Sequence, residues 1–147
     1  MHPAFLQCRN ISKLIRLTVD SYSLVFKNTN AMEQKPYTIL VLMNATPKWL
    51  ALTRNERSKF VENEITPIIQ RVSKTVNVSF YDSEYFHSSV SDFMMVGTNV
   101  LDDYKTLIEM LRDTKIYSVP YFEIKDIIMG QENLFEDFNK RFKQEKR

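Results

Sequence analysis

Cysteine is almost missing from this chain of 147 residues: Cys8 is the only one. No intrachain disulfide can form, which fits a reducing, cytoplasmic setting. From Met32 onward there is no cysteine and a single histidine, His87. A cysteine nucleophile, a CxxC redox pair and a Cys/His zinc site are therefore excluded from that body. Glycine occurs twice, at Gly97 and Gly130, too few for a glycine-rich phosphate cradle. Apolar runs stay short of the roughly 18 residues that a membrane-spanning helix needs, so no membrane association is expected. Strong charge of one sign is missing too. The net charge is +2, and residues 1–31 hold Arg9, Lys13, Arg16 and Lys27 against Asp20 alone, so the remainder is slightly acidic. Nucleic-acid binding needs clustered base and is not expected.

What is present is one domain's worth of chain, apolar enough to bury a core without metal or disulfide support. Residues 1–31 show no clear period. Met32 then opens MEQKPYTILVLMN, which reads as a natural protein start followed by a strand. The expected organisation is an N-terminal extension over 1–31 and a single domain over 32–147. The extension is an untranslated stretch upstream of a true start at Met32, a basic targeting segment, or a surface arm.

From Tyr37 the pattern is clear. Tyr37 to Met43 is rich in strand formers. Thr46 to Leu50 reads as a turn or short helix. Thr53 followed by Glu56 is a capping-box pattern. Phe60, Val61, Ile65, Ile68, Ile69 and Val72 then recur at helical spacing, with Pro67 as a kink or as the first turn of a second piece. Val76 to Tyr81 alternates as a strand, and Asp82 to Val90 is a polar connection. Ser91 to Thr98 is a third strand. Leu101, Tyr104, Ile108 and Leu111 mark a second amphipathic helix with Asn99 as its cap. Tyr117 to Met129 reads as a long fourth strand. Pro120 near its start favours an edge or a bulge, and Gly130 ends it. Leu134, Phe135, Phe138 and Phe142 form a C-terminal amphipathic helix. The predicted fold is α+β: a ferredoxin-like split βαβ (βαββαβ) with an extra C-terminal helix. One face of its sheet is left bare, so a homodimer of the dimeric α+β barrel type is expected.

Polar residues gather around the fourth strand, where Arg112, Asp113, Tyr121, Glu123, Asp126, Glu132 and Asn133 flank an apolar stretch. Three residues could act as a base: His87, Asp92 and Glu123. His87 could also ligate a haem iron, or simply cap backbone groups of its loop. Asp92 opens the third strand inside an apolar run, and could bind a ligand, cap amides or pair with Arg112. Glu123 shares a face with Tyr121 by the period of two, so both line a cavity if that face points inward. Trp49 could stack on a ligand or lid the core. Asp82, Glu84 and Asp92 could gather around a hard cation, but acidic turns are common and no metal or cofactor is expected. The ligand-binding candidates are therefore Trp49, Asp92, Arg112, Tyr121 and Glu123.

The blocks LMNATPKWLALTRNERSKF, FYDSEYF, LRDT, PYFEIKDII and GQENLFEDF resemble the darcynin family, small bacterial proteins without an assigned function. The likeness runs from about Tyr37 to Phe138. It implies a compact domain and supplies no activity.

Three functions stay open. The first is a dimeric protein that binds a small apolar or aromatic molecule. The second is a cofactor-independent oxygenase, isomerase or decarboxylase, which needs one base and a dry pocket. The third is a structural or partner-binding module using the bare sheet or the Phe135/Phe138/Phe142 stripe. That stripe is expected to pack against its own domain.

Overall fold

Ile39, Val41 and Met43 alternate with Leu40 and Leu42, which divides the first apolar run between the two faces of a strand. In the computed structural model, which describes residues 35–145, this run is strand β1 (Tyr37–Ala45). The expectations for residues 1–31 and for a start at Met32 lie outside the described residues. β1 joins β2 (Val76–Asp82), β3 (Asp92–Thr98) and β4 (Phe122–Gln131) in one sheet of order β2-β3-β1-β4. Every neighbouring pair is antiparallel. This is the ferredoxin-like arrangement that the order of elements predicts. β4 lies at an edge.

The helices are α1 (Pro47–Leu50), α2 (Arg54–Phe60), α3 (Thr66–Val72), α4 (Leu101–Arg112), α5 (Lys115–Ser118) and α6 (Leu134–Gln144). α2 opens with the predicted capping box: Thr53 N donates to Glu56 Oε2 at 2.7 Å, and Glu56 N donates to Thr53 Oγ1 at 3.3 Å. Pro67 has no N–H to continue the ladder. The helix widens into a π turn over Val61–Ile65, with Thr66 N donating to Val61 O, and restarts as α3 with proline in its first turn. No described helix is long and apolar enough to cross a membrane.

The core lies between the helices and one face of the sheet. Ile39, Val41, Val96 and Leu107 are fully buried, each worth about 1.5–3 kcal/mol. The opposite face presents Leu40, Leu42, Phe93 and Met95, all half-buried, and Ile128, which is exposed.

Four expectations are corrected. Asn99 does not cap α4. Val100 is its N-cap, and the buried Thr98 hydroxyl accepts from Val100 N at 2.9 Å while donating to Thr75 O at 2.8 Å. The fourth strand starts at Phe122, not Tyr117. Thr114 caps the short helix α5 there, accepting from Ile116 N and donating to Leu111 O, and the cis Val119–Pro120 peptide follows. The strand also runs past Gly130 to Gln131. Finally, the α6 stripe does not pack into its own domain: Phe135 is 75% and Phe138 58% exposed.

Candidate functional site

A pocket opens between the inner face of the sheet and the helices. Val41, Met43, Phe80, Met94, Phe122 and Ile124 form its floor. Trp49, Phe60, Val61, Ile65 and Leu111 close it from the helical side, and Ile116 and Tyr117 of α5 complete the wall. It encloses about 90 Å³ and is partly open to solvent. Among the described residues, Asp92 is the only charged side chain on this wall.

Strand geometry puts Asp92 there. Asp92, Met94 and Val96 alternate onto the inner face, and Asp92 lies opposite Met43 of β1 and Asp82 of β2. Ser91 holds this corner. Its hydroxyl donates to Asp92 Oδ2 and accepts from Ala45 N at 2.7 Å, while its amide donates to Met43 O at 3.0 Å. Burial pushes the Asp92 carboxyl up to about 6; the Ser91 hydrogen bond opposes this, and the charges of Asp82 and Glu84 add to it. At neutral pH the group is mostly ionised but close enough to its midpoint to take up a proton, which suits both hydrogen-bond acceptance and general base work. Burial also raises Tyr117 above the ordinary phenol range and so keeps it protonated.

Trp49 closes one end of the pocket. Its ring lies 5.1 Å from Phe122, 5.4 Å from Tyr121 and 6.0 Å from Phe60, centroid to centroid. The Arg57 guanidinium sits 5.5 Å over it and donates to Leu50 O at 2.8 Å. Thr46 sets the start of α1: its hydroxyl donates to Pro120 O at 2.8 Å, and its amide donates to Tyr121 O at 3.0 Å. The turn before β4 is thereby tied to the helix that carries Trp49.

The other candidates lie elsewhere. Tyr121 is buried in the aromatic cluster behind the pocket wall. Glu123 is exposed, and a hydrogen bond from Lys125 at 2.8 Å lowers its pKa. It does not share a face with Tyr121 because Tyr121 precedes β4; further along, Leu42 pairs with Asp126 but Met43 with Ile124, a β-bulge that skips Lys125. The extra residue keeps Phe122, Ile124 and Ile127 on the inner face and sends Glu123 to the outer one. Arg112 is exposed at the end of α4 and pairs with Glu109 at 3.4 Å. His87 sits in the exposed loop between β2 and β3, where its Nδ1 accepts from Val90 N at 3.1 Å and Ser89 N at 3.2 Å. That is the backbone-capping role. Among the described residues, no group of three or more His, Cys, Asp and Glu side chains is placed to hold a metal ion. Phe60, Phe80 and Tyr117 carry no mark of a site in the sequence, and Met94 suits either an adaptable cavity or plain core. Their helical and strand spacing marks them as apolar core, and only the pocket distinguishes them.

Comparisons with known proteins give two kinds of likeness. A family model described as Darcynin, domain of unknown function, matches residues 25–143. A Darcynin homolog of Streptomyces avermitilis is 34% identical over 100 residues, which is 68% of this chain and 82% of that one. Darcynin 1 of Acinetobacter baumannii is 34% identical over 89 residues, 60% of this chain and 98% of that one. Among solved structures, chlorite dismutase from Candidatus Nitrospira defluvii in complex with imidazole aligns with a TM-score of 0.59 at 15% identity, over 67% of this chain and 40% of that one. A novel heme-binding protein from Thermus thermophilus aligns with a TM-score of 0.61 at 13% identity, over 71% of this chain and 44% of that one. The chain thus spans about two fifths of the length of these solved proteins. At such identity the likeness shows the shared fold alone.

Proposed function

The chain belongs to the Darcynin family, and we propose that its pocket binds a small, single-ring apolar or aromatic molecule, in a protein that acts as a homodimer. One observation carries this reading: an apolar pocket whose only charge, Asp92, is held near a pKa of 6. Trp49, Phe60, Phe80 and Phe122 offer ring faces and edges, and Met43 and Met94 adapt to irregular shapes. The volume of about 90 Å³ is smaller than the roughly 150 Å³ that encloses a benzene ring in an engineered cavity. The ligand is therefore one ring at most, reaching out through the open side. A hydroxyl or amine on it donates to the Asp92 carboxylate.

Trp49 is the chain's only tryptophan and lines the pocket, so its fluorescence reports occupancy directly. Titration with benzyl alcohol should give a saturable change. Ile124→Phe, which fills the pocket, should abolish it, and Asp92→Asn should weaken binding about tenfold, the value of one charge-assisted hydrogen bond. A linear, unsaturable response in the wild-type chain would reject the reading.

Haem, carried by the Thermus protein, does not suit these residues. The only histidine among the described residues is His87, away from the pocket wall with its Nδ1 engaged by backbone amides. Tyr117, the pocket phenol, is kept protonated by burial. The space is also well under the roughly 300 Å³ at which sites for larger ligands begin.

Asp92 itself favours a second reading, a cofactor-independent oxygenase, isomerase or decarboxylase with Asp92 as general base. A carboxylate raised toward neutrality in an apolar pocket is what proton abstraction requires. The two readings separate cleanly: for an enzyme, Asp92→Asn removes turnover while the ring still binds.

A further inference from the structure

Among the described residues, exposed apolar surface is concentrated in the last strand and helix. Among the described residues, twelve large apolar side chains are exposed, and seven of them fall between Ile127 and Phe142. Ile127 and Met129 project from the helix-side face of β4 and Ile128 from its bare face; β4 is an edge strand whose outer side has no neighbour in the sheet. Leu134, Phe135, Phe138 and Phe142 project from α6 directly after it. Phe138 and Phe142 stack at 5.8 Å, which sets part of the stripe in a defined shape. Lys35 fixes the base of the helix, binding Asp137 at 2.8 Å and donating to Asn133 O at 3.3 Å. The stripe is thus held ready on an anchored helix, which lowers the entropy lost on docking.

We propose that β4 and α6 form the surface on which a second copy of this chain docks, with the two α6 helices packed antiparallel across a two-fold axis through their phenylalanine stripes. This names the interface of the homodimer in the reading above and rests on that reading; it is independent of pocket occupancy. Area supports a second copy. Aromatic side chains of ~150–250 Å² and aliphatic ones of similar order, about half exposed, give ~600 Å² over the six residues other than Ile128, which faces the bare side. A standard stable interface buries ~800 Å² per partner. Charge selects the antiparallel sense. The first turn of α6 carries Glu136 and Asp137, and its last turn carries Arg141 and Lys143. Antiparallel helices set each acidic turn beside the partner's basic turn and oppose the two helix dipoles, whereas parallel helices would align like charges. The contact is isologous and closes on itself, so it covers an edge that would otherwise invite open-ended strand pairing.

The test is the mass of the full chain by size-exclusion chromatography with light scattering, across concentrations. The wild-type chain should be a dimer at micromolar concentration. Phe135→Glu/Phe138→Glu should weaken dimerisation by at least ~100-fold, as two lost interface anchors imply. Its circular dichroism should be unchanged, since both residues are exposed. Arg141→Glu/Lys143→Glu reads the same contact through charge alone and should also shift the chain toward monomer. Tyr81→Glu, on the bare sheet face, should leave the dimer intact. A monomeric wild-type chain, a dimer that survives the phenylalanine replacements, or one dissociated by Tyr81→Glu would overturn the proposal. Trp49 titration of the monomeric variant tests the pocket separately, so failure of one reading is visible apart from the other.

Discussion

In the proposed reading Asp92 carries the chemistry of the pocket, and its protonation links the site to stability. Burial raises its carboxyl from 3.8 to about 6, so the folded chain prefers the neutral form. That preference stabilises the fold fully below the unfolded value. It is lost as pH rises from about 4 to about 6, because the folded chain must then hold a buried charge. Asp92→Asn removes this penalty while keeping an acceptor for Ser91. Relative to wild type, the variant should gain about 1–2 kcal/mol between pH 4 and pH 7, after allowance for solvent at the pocket mouth. Urea unfolding of both chains across that range measures it. The difference between the two isolates Asp92 from the surface carboxylates Glu56, Asp102, Glu123 and Asp137, whose lowered pKa values act in the opposite direction. Asp92 was legible in the sequence as a carboxylate within an apolar strand. The position of Glu123 was not, because period-two counting from Tyr121 assumes one continuous strand, whereas Tyr121 precedes β4, which starts at Phe122.

Elements were legible where period and end signals agreed. The capping box at Thr53 and Glu56 marked the start of α2, and Pro67 marked the restart at α3. The chain between Arg112 and Phe122 misled because its aromatic and β-branched residues, Ile116, Tyr117, Val119 and Tyr121, favour a strand. Local hydrogen bonds from Thr114, and a proline without a donor, make a short helix and a turn instead. That turn matters to the site, since it sets Tyr117 into the pocket wall and Tyr121 against Trp49. Thr46 fastens it to α1. Thr46→Val should cost about 1–2 kcal/mol by removing the cap and the bond to the Pro120 carbonyl. Because the lost contacts also orient Trp49, the emission of Trp49 should shift toward that of exposed indole, a change that a uniform loss of stability would not produce in the folded state.

At the scale of the molecule, alternation and order were enough to read the ferredoxin-like sheet and its edge strand. Pattern alone did not separate an inward helix stripe from an outward one. Phe135, Phe138 and Phe142 have the spacing of a core face, and only the structure shows that they lie exposed. The pocket was equally hidden, because its lining consists of the apolar residues that any core of this fold would use. Asp92, the charged exception among them, is where the functional reading meets experiment. The most direct measurement is a ¹³C NMR titration of the Asp92 carboxyl carbon in the free chain and in the presence of saturating benzyl alcohol or toluene. The account predicts a midpoint near 6 in the free chain, a lower midpoint with benzyl alcohol, whose hydroxyl stabilises the carboxylate, and no lowering with toluene, which has no donor. A midpoint near 4 that neither compound moves would contradict it.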